Sequence, residues 1–158
     1  MFNIFKKKFN IKSPVDGKII ELEKVPDEVF SQKMVGDGFA IEPTGSIISA
    51  PADGNLKMIF QTNHAFAIEC TNGIQLLIHI GLDTVNLNGS GFKRLIEPGE
   101  SVKIGQPIVE IDNKTIREKG YSLITMVVIT NMEEIKEFEK NNLNIVKAGE
   151  ETVITYRT

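Results

Sequence analysis

Two histidines, His64 and His79, are the only ones in the chain, and a single hairpin can bring them together. Imidazole titrates at about pH 6.5, so much of it is an unprotonated nucleophile at neutral pH. One such ring can take a phosphoryl group covalently and later surrender it. A second can donate a hydrogen bond to the oxygens where negative charge gathers. Two imidazoles are equally half of a metal site. Thr62, two residues before His64, brings a hydroxyl that can orient His64 or bind a phosphoryl oxygen. Asp83 follows in the run His79-Ile-Gly-Leu-Asp-Thr-Val85, where Gly81 places the second histidine at a reachable strand end.

These side chains act together only if they share a face. Between them lies Asn72-Gly73, the dipeptide best suited to a two-residue type I′ turn, whose central residues both need positive φ. The flanks His64–Cys70 and Ile74–Ile80 read as strands. A two-residue turn sets Thr71 against Ile74 and Phe66 against His79, which makes His64 the diagonal neighbour of His79 on one face. Diagonal neighbours sit about 7–8 Å apart. The inference depends on parity, because a loop longer by one residue separates the faces. Each residue also has an ordinary reading. A strand histidine is usually packed and satisfied. Asp83 suits a turn, Asp27 after Pro26 suits a turn or helix cap, and Phe30, Phe60 and Phe66 suit a core. The residues alone indicate a histidine-centred site and leave its reaction open.

The elements around the hairpin are short. Strands are expected at Lys18–Leu22, Gly38–Pro43, Ile47–Ala50, Asn55–Phe60, Ala65–Cys70, Ile74–Ile80, Pro107–Ile111, Thr125–Ile129 and Thr152–Tyr156, punctuated by Gly, Pro, Asp and Asn. The fold class is all-β, a mainly antiparallel sandwich or barrel-sandwich with a duplicated hairpin motif and one or two short helices. One helix is expected from Asn131 as N-cap, with Glu134 as capping-box partner and Ile135 and Phe138 on one face. A shorter one follows Asp112 and stops at Gly120. Ser13-Pro-Val-Asp-Gly17 is echoed by Ala50-Pro-Ala-Asp-Gly54, and Val102-Lys-Ile-Gly105 by Val146-Lys-Ala-Gly149. The echoes point to related hairpin units in one sandwich.

At 158 residues the chain fits one domain, read as 13–158 after a flexible basic tail at 1–12. A globule of this size buries roughly 68–70% of its unfolded surface and needs no disulfide. The single cysteine, Cys70, suits a reducing compartment and reads as an ordinary strand residue. No apolar run approaches membrane-spanning length, and lysines stand where a signal peptide carries its apolar segment. The expected location is the cytoplasm. Lys6, Lys7, Lys8 and Lys12 sit in the tail; without their charge the net −3 becomes −7 for the remainder. An acidic body argues against nucleic acid and for a basic partner or small substrate. The tail offers at most weak contact with an anionic membrane surface.

Five segments carry a resemblance. Val25-Pro-Asp-Glu-Val-Phe30, Val35-Gly-Asp-Gly38, Ala50-Pro-Ala-Asp-Gly54, Thr62-Asn-His-Ala-Phe66 and His79–Val85 with Gly89-Ser-Gly-Phe92 occur in order. Together they resemble the glucose-family IIA component of the phosphoenolpyruvate-dependent sugar phosphotransferase system. The resemblance implies that His79 accepts phosphate through Nε2, that His64 stabilises the transferring group, and that Thr62 supports it by hydrogen bonding. It implies an apolar rim at Val29, Phe30, Val35, Phe60 and Val85, which excludes water. Asp27 and Asp83 match acidic positions that meet an arginine of the histidine phosphocarrier protein (HPr). Phosphate passes from HPr to the chain and on to the IIB part of a IIB/IIC sugar permease. The family's stand-alone members also regulate permeases or other enzymes, kinases among them.

No cofactor is required by this chemistry, and the sequence has no Gly-rich P-loop and no carboxylate cluster suited to Mg²⁺. The resemblance implies zinc on His64 and His79 only where a partner supplies a carboxylate. A zinc hydrolase of similar fold needs a His-x-His pair, but Leu77 stands two residues before His79. A lipoyl-like carrier needs a lysine at a hairpin tip, and neither Lys18 nor Lys57 has the flanking pattern.

Overall fold

Short apolar alternations, each closed by a turn former, can bury one strand face apiece and leave little length for helix. The computed structural model describes residues 7–158 and has the expected all-β architecture. In chain order the strands are β1 (Phe9–Lys12), β2 (Gly17–Ile20), β3 (Asp37–Pro43), β4 (Ile47–Ser49), β5 (Gly54–Ile59), β6 (Ala65–Cys70), β7 (Gln75–Ile80), β8 (Phe92–Arg94), β9 (Ser101–Val102), β10 (Pro107–Ile111), β11 (Thr125–Ile129), β12 (Glu137–Lys140), β13 (Ile145–Val146) and β14 (Thr152–Arg157). The helices are α1 (Glu28–Ser31) and α2 (Asn113–Glu118). An eight-stranded sheet runs β13-β2-β3-β11-β7-β6-β5-β9, beside three-stranded sheets β1-β14-β12 and β4-β10-β8.

The core lies on one face of the large sheet. Phe66, Ile68, Leu76, Ile78 and Ile80 from β6 and β7 pack with Ile48 and Ile108 from one small sheet and Ile11 and Ile154 from the other. Each of these side chains is almost wholly removed from water, which stabilises the fold by roughly 1.5–3 kcal/mol apiece. The opposite face carries a second, smaller cluster. There Leu22, Val25 and Phe30 pack on Ala40, Met126 and Val128. That cluster fastens α1 across the sheet next to β7.

The two sequence echoes meet about a local two-fold relation. Lys12 N–H donates to the Pro51 carbonyl at 2.9 Å, and its counterpart Ser49 N–H donates to the Pro14 carbonyl at 2.6 Å. Ala148 N–H reaches Asp16 Oδ1, as Ile104 N–H reaches Asp53 Oδ1, both at 2.8 Å. Gly149 N–H donates to Ser13 and Gly105 N–H to Ala50, both at 2.9 Å. The glycines abut: a Cβ on Gly149 would stand 3.1 Å from the Gly105 Cα. Both have positive φ, so both turns need glycine for conformation, and Gly149 needs it for contact as well.

Three expectations change. The β6–β7 loop has three residues, Thr71-Asn72-Gly73, because Cys70 N–H pairs with Ile74 and Gly73 N–H with Cys70. Only Gly73 of this loop has positive φ, as in a type I turn followed by a left-handed glycine. Asn72 Oδ1 accepts from Ile74 N–H and its amide donates to Tyr156, which holds it out of the type I′ geometry. The register therefore shifts by one, and His79 faces Ala65 instead of Phe66. The late helix shrinks to a 3-10 turn at Met132–Glu134, and Phe138 lies in β12 opposite Tyr156. Asn131 does not cap it; its side chain accepts from Gln75 N–H and donates to the Gly73 carbonyl. Finally Phe9–Lys12, read as part of the tail, pair with β14 and bury Ile11 completely. The rest of the expected tail at 1–6 lies outside the described residues. The short helix after Asp112 forms as α2, with Asp112 Oδ1 accepting from Thr115 N–H.

Candidate functional site

The corrected register places Ala65 directly opposite His79. Strict pleat alternation would then send His64 to the core side, with Phe66 and Ile80. Instead the two imidazole centroids are 5.0 Å apart, edge to face at 83°. His64 lies outside β6, at the end of a tight turn, and so escapes the alternation. Within that turn Asn63 N–H donates to the Phe60 carbonyl at 2.7 Å and Phe60 N–H to the Ala65 carbonyl at 2.9 Å. Asn63 has φ +60°, a left-handed conformation that asparagine tolerates better than most residues. Ile80 N–H donates to the His64 carbonyl at 2.7 Å, tying the turn to the end of β7.

Each ring has a defined setting. His64 is 3% exposed, and Phe60 meets it edge-on at 5.3 Å. Its Nδ1 is 2.5 Å from Thr62 Oγ1. His79 is half-buried, with the Phe30 ring 5.1 Å away. Its Nδ1 is 2.9 Å from the Gly81 carbonyl. A carbonyl only accepts, so Nδ1 carries the proton and the lone pair belongs to Nε2. Gly81 has φ +84°, and a Cβ there would be 2.5 Å from Thr84 Cγ2 and 2.7 Å from the Ser122 carbonyl. Thr84, wholly buried, also anchors this corner by donating to the Ile80 carbonyl.

Electrostatics keep both rings neutral at neutral pH. Burial, and then the facing His79, push the His64 pKa down to about 4. Burial also lowers the His79 pKa, against the opposing pull of the Gly81 carbonyl and the charges of Asp27 and Asp83. The result is an available nucleophilic nitrogen beside an uncharged hydrogen-bonding ring.

The other expected residues divide. Asp27 caps α1, accepting from Val29 N–H at 2.9 Å. Asp83 has φ +59° and opens the 3-10 turn Thr84–Leu87 with no side-chain cap bond. Val29 and Val85 are 44% and 48% exposed on the two segments that carry these carboxylates. Phe60 is also exposed, at 36%. Phe30 is buried beneath His79, and Val35 is half-buried against the smaller cluster. Gly81, expected only to set His79 at a reachable strand end, and Asn63 both serve the site directly. Gly81 acts through its carbonyl, a group every residue has, and Asn63 acts through its backbone angle. Only the glycine between a strand-ending histidine and an acidic loop hinted at either.

The chain matches the family model described as "phosphoenolpyruvate-dependent sugar phosphotransferase system, EIIA 1" over residues 9–135. It is 42% identical to the PTS system glucose-specific EIIA component of Oceanobacillus iheyensis over 158 residues, 96% of each chain. It is 47% identical to the PTS system N-acetylglucosamine-specific EIICBA component of Klebsiella pneumoniae over 125 residues, 79% of this chain and 19% of that protein. Among solved structures, glucose permease IIA from Mycoplasma capricolum superposes with a TM-score of 0.89 at 39% identity, covering 95% of this chain and 97% of that one.

Proposed function

The chain belongs to the EIIA 1 family of the phosphoenolpyruvate-dependent sugar phosphotransferase system, and on that premise we propose that His79 is its phosphoryl acceptor and His64 steadies the group in transit. The observation that carries this reading is the Nδ1–H of His79 on the Gly81 carbonyl, which leaves Nε2 as the nucleophile. The Nε2 lone pair attacks the phosphorus of a donor phosphohistidine. The donor P–N bond breaks and its electron pair returns to the donor ring, so no proton need leave His79. Positive charge then spreads over the imidazole, and the Gly81 carbonyl stabilises it through the retained Nδ1–H.

His64 supplies the second half. With the Thr62 hydroxyl donating to Nδ1, the Nε2–H of His64 is free to donate to a phosphoryl oxygen. Its neutrality matters: a cationic ring would hold the dianionic group too firmly for a relay that must release it. The apolar side chains of Phe30, Phe60, Val29 and Val85 exclude water when a partner docks, which protects the phosphohistidine from hydrolysis.

The partners follow from the family. HPr is the donor, meeting Asp27 and Asp83 with a cationic side chain, and the IIB part of a sugar permease is the acceptor. Similar identity to glucose-specific and N-acetylglucosamine-specific relatives supports leaving the choice of sugar to the permease. No helix among the described residues is long and apolar enough to cross a membrane. The relay works in the cytoplasm, and control of other permeases or kinases by its phosphorylation state belongs to the same reading. No group of three or more His, Cys, Asp or Glu gathers to hold a metal among the described residues. Zinc would find two ligands in His64 and His79 and take its remaining ligands, a carboxylate among them, from a partner.

The test is a transfer assay with phosphoenolpyruvate, enzyme I and HPr. One acid-labile phosphate on His79, passed on to a IIB domain, is the expected result. A chain that stays unmodified, or one phosphorylated on His64 instead, overturns the assignment.

A further inference from the structure

We infer that Arg94 is a positioning residue for His64: its guanidinium clamps the turn that carries His64 out of the strand and onto His79. The inference rests on the roles proposed above for the two histidines. Arg94 is the last residue of β8, in a different sheet from β6. Its Nε–H donates to Asn63 Oδ1 at 2.9 Å, and Nη2 lies 3.4 Å from the Phe60 carbonyl. A third arm, Nη1, reaches Glu97 Oε1 at 3.1 Å and fixes the direction of the fork. One planar group thus grips both ends of the Phe60–Asn63 turn from outside the sheet.

The grip falls where the geometry needs it. His64 reaches His79 from a turn in which Asn63 is left-handed, a conformation that is costly for an ordinary residue. Asparagine lowers that cost, and a charge-assisted bond to its side chain makes the alternative conformations less favourable. The Phe60 carbonyl already accepts from Asn63 N–H, so the guanidinium adds to a bond internal to the turn. Thr62, whose hydroxyl meets His64, and Phe60, whose ring packs on it, ride on the same turn. The Arg94 side chain is 27% exposed, so water competes only partly for its donors. Glu97, on the solvent side, pairs with the remaining arm of the guanidinium at 3.1 Å. A lysine replaces Arg94 only in part, because only the fork reaches two acceptors at once.

The experiment compares Arg94→Gln, Arg94→Lys, Asn63→Gly and the Arg94→Gln/Asn63→Gly pair in the full chain. Glycine at 63 keeps the left-handed turn and removes only the acceptor, so it reports on the clamp even where Arg94→Gln folds poorly. Three readouts are taken: the His64 imidazole titration by NMR, single-turnover phosphorylation by phospho-HPr, and onward transfer to a IIB domain. Loosening the turn should move the His64 titration up toward the free-histidine range. Onward transfer should fall by about tenfold or more, while phosphorylation of His79 changes much less. Arg94→Lys should fall between Arg94→Gln and the parent. The double variant should be no worse than either single, because both remove one interaction. Unchanged His64 titration and unchanged transfer in Arg94→Gln and Asn63→Gly overturn the inference, as do fully additive losses. The control His79→Gln separates the two readings. If it still takes phosphate, the acceptor assignment fails, while the His64 titration continues to report whether Arg94 positions that ring.

Discussion

At the scale of single residues, the two histidines differ in what their Nδ1 atoms touch. His79 gives its Nδ1 proton to a backbone carbonyl, and His64 meets a hydroxyl that can donate or accept. The first contact makes a nucleophile; the second leaves a ring able to present a donor. His79→Gln should abolish phosphate uptake while melting close to the parent, since a half-buried ring is exchanged for a side chain of similar polarity. His64→Gln should spare uptake more than onward transfer, which stopped-flow phosphorylation and IIB-coupled assays resolve. Phosphorylation itself should raise the His64 pKa from about 4, because a dianion beside the ring favours its cationic form. An NMR titration of the chain before and after phosphorylation measures this; a fixed or lowered value counts against a phosphate placed beside His64.

At the scale of elements, the site is built where strands end. β6 begins one residue after His64 and β7 ends one residue after His79, so His79 keeps the pleat alternation of β7 while His64, outside β6, is free of it. The left-handed residues Asn63 and Asp83 lie on the segments that lead into β6 and out of β7. Glycines at the two ends of the hairpin make a sharp contrast. Gly73 has φ +90°, and a Cβ added there would meet nothing within 4 Å, so Gly73→Ala should cost about 1 kcal/mol from conformation alone. Gly81 adds contacts of 2.5 and 2.7 Å to its positive φ, so Gly81→Ala should cost about 3 kcal/mol and displace the carbonyl that holds His79. Urea unfolding of the two variants measures the difference, and phosphate uptake should fall only for Gly81→Ala.

At the scale of the whole molecule, the paired echoes and the buried histidines shape stability. Asp16 and Asp53 make equivalent bonds across the local two-fold. Replacing either by Ala should cost about 1 kcal/mol, and the two losses should match within error in denaturant titrations. Stability should also depend on pH with a definite sign. The unfolded chain protonates His64 at about pH 6.5, while the folded chain resists until about pH 4. Between those values the unfolded state binds more protons, so stability falls as pH drops through that window. The lowered His79 pKa acts in the same sense. His64→Gln should show a shallower loss between about pH 6.5 and about pH 4.5, where carboxylate titration contributes less.

Much of this was readable beforehand, for physical reasons. Ala65–Cys70, Pro107–Ile111 and Thr125–Ile129 announce themselves because β-branched and apolar runs closed by turn formers have few other ways to bury area. The duplicated turns were visible because Pro and Asp-Gly act locally. β1 and β12 escaped notice, since each depends on pairing with β14, a partner far along the chain or beyond a loop. His64 and His79 meet as expected, but through a register one residue away from the expected one. By itself the sequence determined the residue types, the hairpin and the chemistry open to two imidazoles, because these follow from composition and local turn preference. Only the tertiary structure decided that the rings meet, which nitrogen of His79 carries its proton and what grips the turn at Asn63. Those depend on atoms brought close from distant positions, and no local pattern encodes such a distance.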